Sequence, residues 1–234
     1  VVAYAFFFGM LLSAFIGHYI LGTHRKFITA KRINHEYPGL VKATQALLAL
    51  YVLVNVDVLL ARVVLSAEDS GTYSVGMLVA KIAFFLPQAV TVVLFPRMGN
   101  NDSSALRLAL LGTSAIGFLY ILLAYFASDF VVNAIGGKNY AVLYEDVWLF
   151  ALEGTLFAIL QVLLYGRIAR EDTSVSIILW IGSIIASLLV VFAFERNIVN
   201  VVVVLIVITF VLIVIATITE IRHRANARKG SSRT

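Results

Sequence analysis

Long apolar runs separated by short polar punctuation account for most of this chain. Runs of about 20 apolar residues, the length that crosses a bilayer as a helix, fall near 1–22, 43–65, 73–96, 106–127, 147–166, 174–194 and 198–219. The joins carry turn chemistry: Glu68-Asp69-Ser70-Gly71, Gly99-Asn100-Asn101-Asp102-Ser103-Ser104 and Gly136-Gly137-Lys138-Asn139. This pattern predicts an all-α polytopic membrane protein with seven transmembrane helices, and neither a soluble domain nor a long linker. A transmembrane barrel would instead alternate apolar and polar positions over segments of roughly ten residues.

Composition agrees with that reading. The 234 residues are 61% hydrophobic and only 13% charged, against about 25% charged in a soluble domain. Cysteine is absent, which excludes a disulfide framework, a thiol nucleophile and a cysteine metal site. The four histidines show no ligand spacing, so no metal or other cofactor is expected. The chain opens at Val1 inside an apolar run, without the basic stretch and small-residue cleavage site of a signal peptide. The expectation is a fragment that has lost its N-terminus.

Charge then sets orientation. Fourteen of the 18 basic residues fall on one set of alternating connections: Arg25, Lys26, Lys31, Arg32, Lys42, Arg97, Arg107, Arg167, Arg170 and the tail Arg222, Arg224, Arg228, Lys229 and Arg233. The other side holds Arg62, Lys138 and Arg196 beside several acids. Cytoplasmic loops concentrate Lys and Arg, so the fragment enters from outside and its basic tail ends in the cytoplasm of a multi-pass cytoplasmic-membrane protein. The net charge of +5 is then topological. No aromatic-interleaved basic patch suggests nucleic acid.

The candidate chemistry lies inside the apolar runs. An ionised group at mid-membrane costs about 2.5–3.5 kcal/mol on insertion scales, so it needs a partner, a cavity or a function. At about 1.5 Å of rise per residue, Asp57 and Lys81 each lie roughly 12 Å from the outside and Glu153 roughly 9 Å. Arg62 is shallower and can extend to the interface. One reading is a polar cavity opening outward, where Lys81 meets an anionic group and Asp57 holds Lys81 or exchanges a proton or cation. The alternative is a plain Asp57–Lys81 ion pair that fixes two helices, with Glu153 shallow enough to reach interfacial water. Pro87 removes a backbone hydrogen bond mid-span, so a kink is expected there, with Pro87 a hinge candidate and Gln88 facing a cavity. Pro96 is expected to end the same span. Tyr73, Tyr140, Tyr144 and Trp148 fit an outer aromatic belt. Asn55 and Gln161 fit interhelical hydrogen bonding, and Gly182, Ser183, Ala186 and Ser187 fit close helix approach. No catalytic constellation is present, so an enzyme is not expected.

Several motifs together resemble a known family: Asn55-x-Asp57 with Leu59-Leu60-Ala61-Arg62, Gly71-x-Tyr73, Ala80-Lys81, Pro87-Gln88-Ala89 and Leu94-Phe95-Pro96-Arg97. A second stretch runs from Gly136 to Tyr140, then Trp148 to Gly154, then Leu164-Tyr165-Gly166-Arg167-Ile168-Ala169-Arg170. Residues 40–170 thus resemble the polysaccharide-flippase branch of the multidrug/oligosaccharidyl-lipid/polysaccharide exporter superfamily, of the actinobacterial polysaccharide biosynthesis membrane protein type. The resemblance implies two helical lobes working by alternating access. Residues 1–22 would be the last helix of an absent first lobe, 23–42 a cytoplasmic linker, 43–219 a six-helix second lobe and 220–234 a basic tail. The implied substrate is a polyprenyl-diphosphate-linked oligosaccharide, its tail remaining in lipid. Lys81 and Arg62 would attract the diphosphate, and Asp57 would couple to H+ or Na+. Polysaccharide-assembly proteins are candidate partners.

The same superfamily offers a peptidoglycan lipid-precursor flippase or a cation-coupled multidrug exporter as alternatives. A scaffold for glycan assembly is an alternative of another class. A retinal protein would need a lysine in the last span, and residues 198–219 contain none.

Overall fold

The polar punctuation does start and stop helices. Ser66 caps one of them: its Oγ accepts from the Asp69 backbone N–H at 3.0 Å and donates to Asp69 Oδ2 at 2.8 Å. This supplies one of the donors a helix start leaves unsatisfied, and Glu68 and Asp69 in the first turn suit the helix dipole. The structure, a computed structural model, describes residues 30–99, 103–169, 174–192 and 197–231. Their order is α1 (Ala30–Val64), α2 (Ala67–Phe85), α3 (Gln88–Gly99), α4 (Ser103–Phe126), α5 (Ser128–Ile135), a 3-10 segment (Lys138–Leu143), α6 (Val147–Ile168), α7 (Ser174–Phe192) and α8 (Ile198–Ser231). No strand occurs among the described residues.

Four stretches are long and apolar enough to cross a membrane: Val41–Val64, Ser104–Phe126, Val147–Ile168 and Ile198–Ile221. Helices α2 and α3 make a fifth as a pair bent by 41°. The chain is a polytopic helical membrane protein. The expected span at 1–22 lies outside the described residues. The expected span at 174–194 is represented by a shorter apolar helix, Ser176–Phe192.

Two compact units divide the chain at Lys42. In the first, the described residues are 30–42, the N-terminal part of α1. The second unit is organised around α6. In its most apolar 18-residue stretch, 78% of residues are buried, against 22% for α4. Helices α2, α3, α4, α5 and α8 all pack on α6. The outer faces are left apolar: Leu59, Val93, Leu111, Phe126 and Phe192 are exposed. In water such a surface would drive association; in a bilayer it is the solvent-facing side.

Small residues set the close contacts. A Cβ at Gly154 would fall 1.9 Å from the Ala80 carbonyl oxygen, so α2 and α6 meet backbone to backbone. A Cβ at Gly182 would meet the Leu212 side chain at 2.7 Å, where α7 packs on α8. Small residues at helix crossings allow this approach in membranes.

The α2–α3 break falls at Pro87, the position expected to kink. The expectation for Pro96 is corrected: α3 continues through it to Gly99, since a proline costs a helix one hydrogen bond and need not end it. The segment between α4 and α6 is also more ordered than a loop. It holds α5 and the 3-10 segment, joined at Gly137, whose φ of 84° is a conformation glycine accepts without strain.

Gly154→Ala should therefore separate α2 from α6, because the carbonyl it meets cannot rotate away. We expect a loss of roughly 1–3 kcal/mol, the usual cost of overpacking. It would be read as a lower melting midpoint in detergent by size-exclusion fluorescence. Gly71→Ala has nothing within 4 Å of its new Cβ and should match the parent.

Candidate functional site

Asp57 and Tyr73 lie eight residues either side of Leu65. In two antiparallel helices joined by a tight turn, such positions face each other. Both are fully buried, and the Tyr73 hydroxyl donates to Asp57 Oδ2 at 3.0 Å. Tyr73 therefore does not belong to an interfacial belt. Its ring packs edge-on against Phe150 of α6, centroids 5.4 Å apart, which holds the hydroxyl on the carboxyl.

Glu153 of α6 completes this cluster. Asp57, Tyr73 and Glu153 lie within electrostatic reach of one another. Glu153 is fully buried, which corrects the expectation that it reaches interfacial water. Helical rise gives a residue's depth but not its facing, and Glu153 faces inward from the most buried helix. Both its oxygens, and Asp57 Oδ1, have no hydrogen-bond partner among the described residues. A buried carboxyl group left without partners costs several kcal/mol if ionised.

Lys81 has a different neighbourhood. Its charge reaches Asp57, but the two do not form the direct ion pair considered from the sequence. Instead Lys81 Nζ donates to Asn55 Oδ1 at 2.9 Å, and Asn55 Nδ2 donates to the Tyr51 carbonyl at 2.7 Å. Because Ser66 starts α2 at Ala67, Lys81 lies about 21 Å of helical rise along it, whereas Asn55 is about 14 Å from the end of α1. The lysine side chain leans back toward its helix N-terminus to reach Asn55, as helical side chains do.

Lys81 and Asn55 line a cavity of about 520 Å³, together with Gln161, Tyr165 and the apolar side chains of Leu47, Leu50, Tyr51, Val54, Phe84 and Phe85. Gln88 sits at the bend. Its Nε2 donates to the Phe84 carbonyl at 3.3 Å, which the helix break would otherwise leave without its usual donor, and also to Gln161 Oε1. Gln161 Nε2 donates to the Tyr165 hydroxyl at 3.0 Å. The bent pair is thereby tied to α6 beside the cavity. Pro87 itself is buried at the break. Arg62 is exposed in the last turn of α1 and lines neither the acid cluster nor this cavity.

Two further residues, quoted above only within the Leu164–Arg170 motif and not as site candidates, take definite places. Tyr165 lines the cavity, four residues from Gln161. Arg167, read as a loop cation, is buried instead. It pairs with Glu220 at 3.7 Å and donates to Thr219 Oγ1 at 2.7 Å, joining the end of α6 to α8. Among the described residues, no three His, Cys, Asp or Glu side chains gather as a metal site.

No family model, curated protein or solved structure matches the chain.

Tyr73→Phe removes the buried hydroxyl that donates to Asp57 Oδ2. We expect about 1–3 kcal/mol of destabilisation. Combined with Asp57→Leu, the loss should be clearly less than additive. Melting midpoints of the two single variants and the double variant check this.

Proposed function

We propose that the chain forms the transport lobe of a flippase that carries a polyprenyl-diphosphate-linked oligosaccharide across the cytoplasmic membrane by alternating access. The supporting observation is the setting of Lys81. This ammonium group sits within an apolar span, at the edge of a cavity, with a neutral amide oxygen as its hydrogen-bond partner and, among the described residues, no acidic group at ion-pair distance. A charge held at that depth without a counter-ion is suited to receiving one. A diphosphate supplies it, and Asn55, Gln161 and Tyr165 offer hydrogen bonds to phosphate or sugar oxygens.

In this reading the seven-span arrangement includes residues 1–22 and 174–194, and the basic connections lie in the cytoplasm. Asp57 and Glu153, with three unpartnered oxygens between them, take up the coupling H+ or Na+. Pro87 is the hinge of the bent pair. Arg62, exposed at the outer end of α1, meets the head group on release. A peptidoglycan-precursor flippase would use the same cation for the same diphosphate. A multidrug exporter is favoured less, since Lys81 repels the cations such exporters carry. A glycan-assembly scaffold leaves the uncompensated lysine without a role.

In the cell, Lys81→Ala should abolish surface polysaccharide while protein abundance stays at the parental level. Lys81→Arg, which keeps the charge, should retain part of the export. Parental export from Lys81→Ala would overturn the role given to this residue.

A further inference from the structure

The Lys81 cavity does not end at its polar corner. It shares Leu47 and Tyr165 with a second cavity of about 270 Å³, whose other walls are Val92, Phe95 and Ile168. Together they form a groove between α1 and the bent α2–α3 pair, with α6 as its floor. Lys81 and Asn55 stand toward one end, Gln161 lies midway, beside Gln88 at the bend, and the far end is lined by aliphatic and aromatic side chains. From Lys81 to Phe95 the helical rise is about 21 Å, a large part of the roughly 30 Å hydrocarbon thickness. Among the described residues, no carboxylate lines either cavity.

One cation at the head of a long apolar track matches an amphiphile with an anionic head and a long apolar chain. Resting on the flippase reading above, we infer that the groove from Lys81 to Phe95 and Ile168 holds the polyprenyl chain of the transported lipid, with its phosphate at Lys81. The chain then lies along the protein rather than in bulk lipid. With the basic connections in the cytoplasm, the occupant points its head outward and its chain inward. That is the orientation of the product leaflet, so the groove holds the lipid after its head has turned over.

The test uses the chain in phosphatidylcholine nanodiscs, with a photoreactive benzoylphenylalanine in place of Val92 in the groove or of Leu111 on α4. Both positions are exposed in the parent, at 62% and 69%, so neither substitution disturbs the core. The probe is a long-chain polyprenyl phosphate, and diacyl phosphatidic acid at equal concentration is the competing source of the same head group. Polyprenyl phosphate should cross-link at position 92 about tenfold more than at position 111, a preference worth about 1.4 kcal/mol, and phosphatidic acid should not compete. Equal cross-linking at the two positions, or equal competition by phosphatidic acid, overturns the groove assignment. Retention of radiolabelled probe by Lys81→Met, measured in parallel, separates the two ideas. If retention is lost while cross-linking is equal at both positions, the groove fails and the Lys81 reading stands. If cross-linking at position 92 is undiminished in Lys81→Met, the Lys81 reading and the anchored orientation fail.

Discussion

The backbone contact between Ala80 and Gly154 is the constraint on which the rest of the site depends. It admits no side chain, so α2 and α6 are fixed at one height and one rotation relative to each other. Their neighbours in sequence are the two charges that matter most. Lys81 follows Ala80, and Glu153 precedes Gly154. Locking the contact pair therefore turns Glu153 into the interior and Lys81 onto the cavity wall.

A bilayer offers no water to polar groups at depth, so each must be satisfied within the protein or serve a purpose. Most of the groups here are satisfied locally. Gln88 covers the Phe84 carbonyl at the helix break, Tyr73 covers one oxygen of Asp57, and Thr219 and Glu220 receive Arg167. Among the described residues, five buried side-chain oxygens have no partner: the Thr113 and Thr209 hydroxyls, Asp57 Oδ1 and both oxygens of Glu153. The two hydroxyls stand singly on α4 and α8, whereas the three carboxyl oxygens share one cluster, where leaving them open costs most.

Much of this was legible from the residue pattern, because apolar run length and turn chemistry are read directly from the chain. The tight turn at Leu65 even contains the Asp57–Tyr73 pairing, since equal spacing about a turn places two residues level. Pro87 announced its break, because a missing N–H has one consequence mid-helix, whereas Pro96 shows that neighbouring packing can carry a helix through. Facing was not legible. Glu153 and Arg167 sit on an α6 that is apolar on nearly every side, so no amphipathic stripe marks inside from outside. Tyr73 was mistaken for a belt residue because closeness to a span end looks the same whether the ring points to lipid or to a carboxyl.

The bend at Pro87 has a mechanical consequence. Above it, α2 is seated on α6 by a contact without adjustable side chains; below it, α3 is a rod of 12 residues, about 18 Å long, held by side-chain packing on α4 and α6. If Pro87 acts as the hinge proposed above, the bent pair is a lever with its fulcrum at Leu86–Pro87. A change of about ten degrees at the fulcrum would carry the Gly99 tip roughly 3 Å, for a rod of that rise. The same swing would barely move Lys81, which lies on the seated arm. Under that proposal a small angular change at the break would be converted into a displacement at the far tip of α3, while the cation on α2 stays in place.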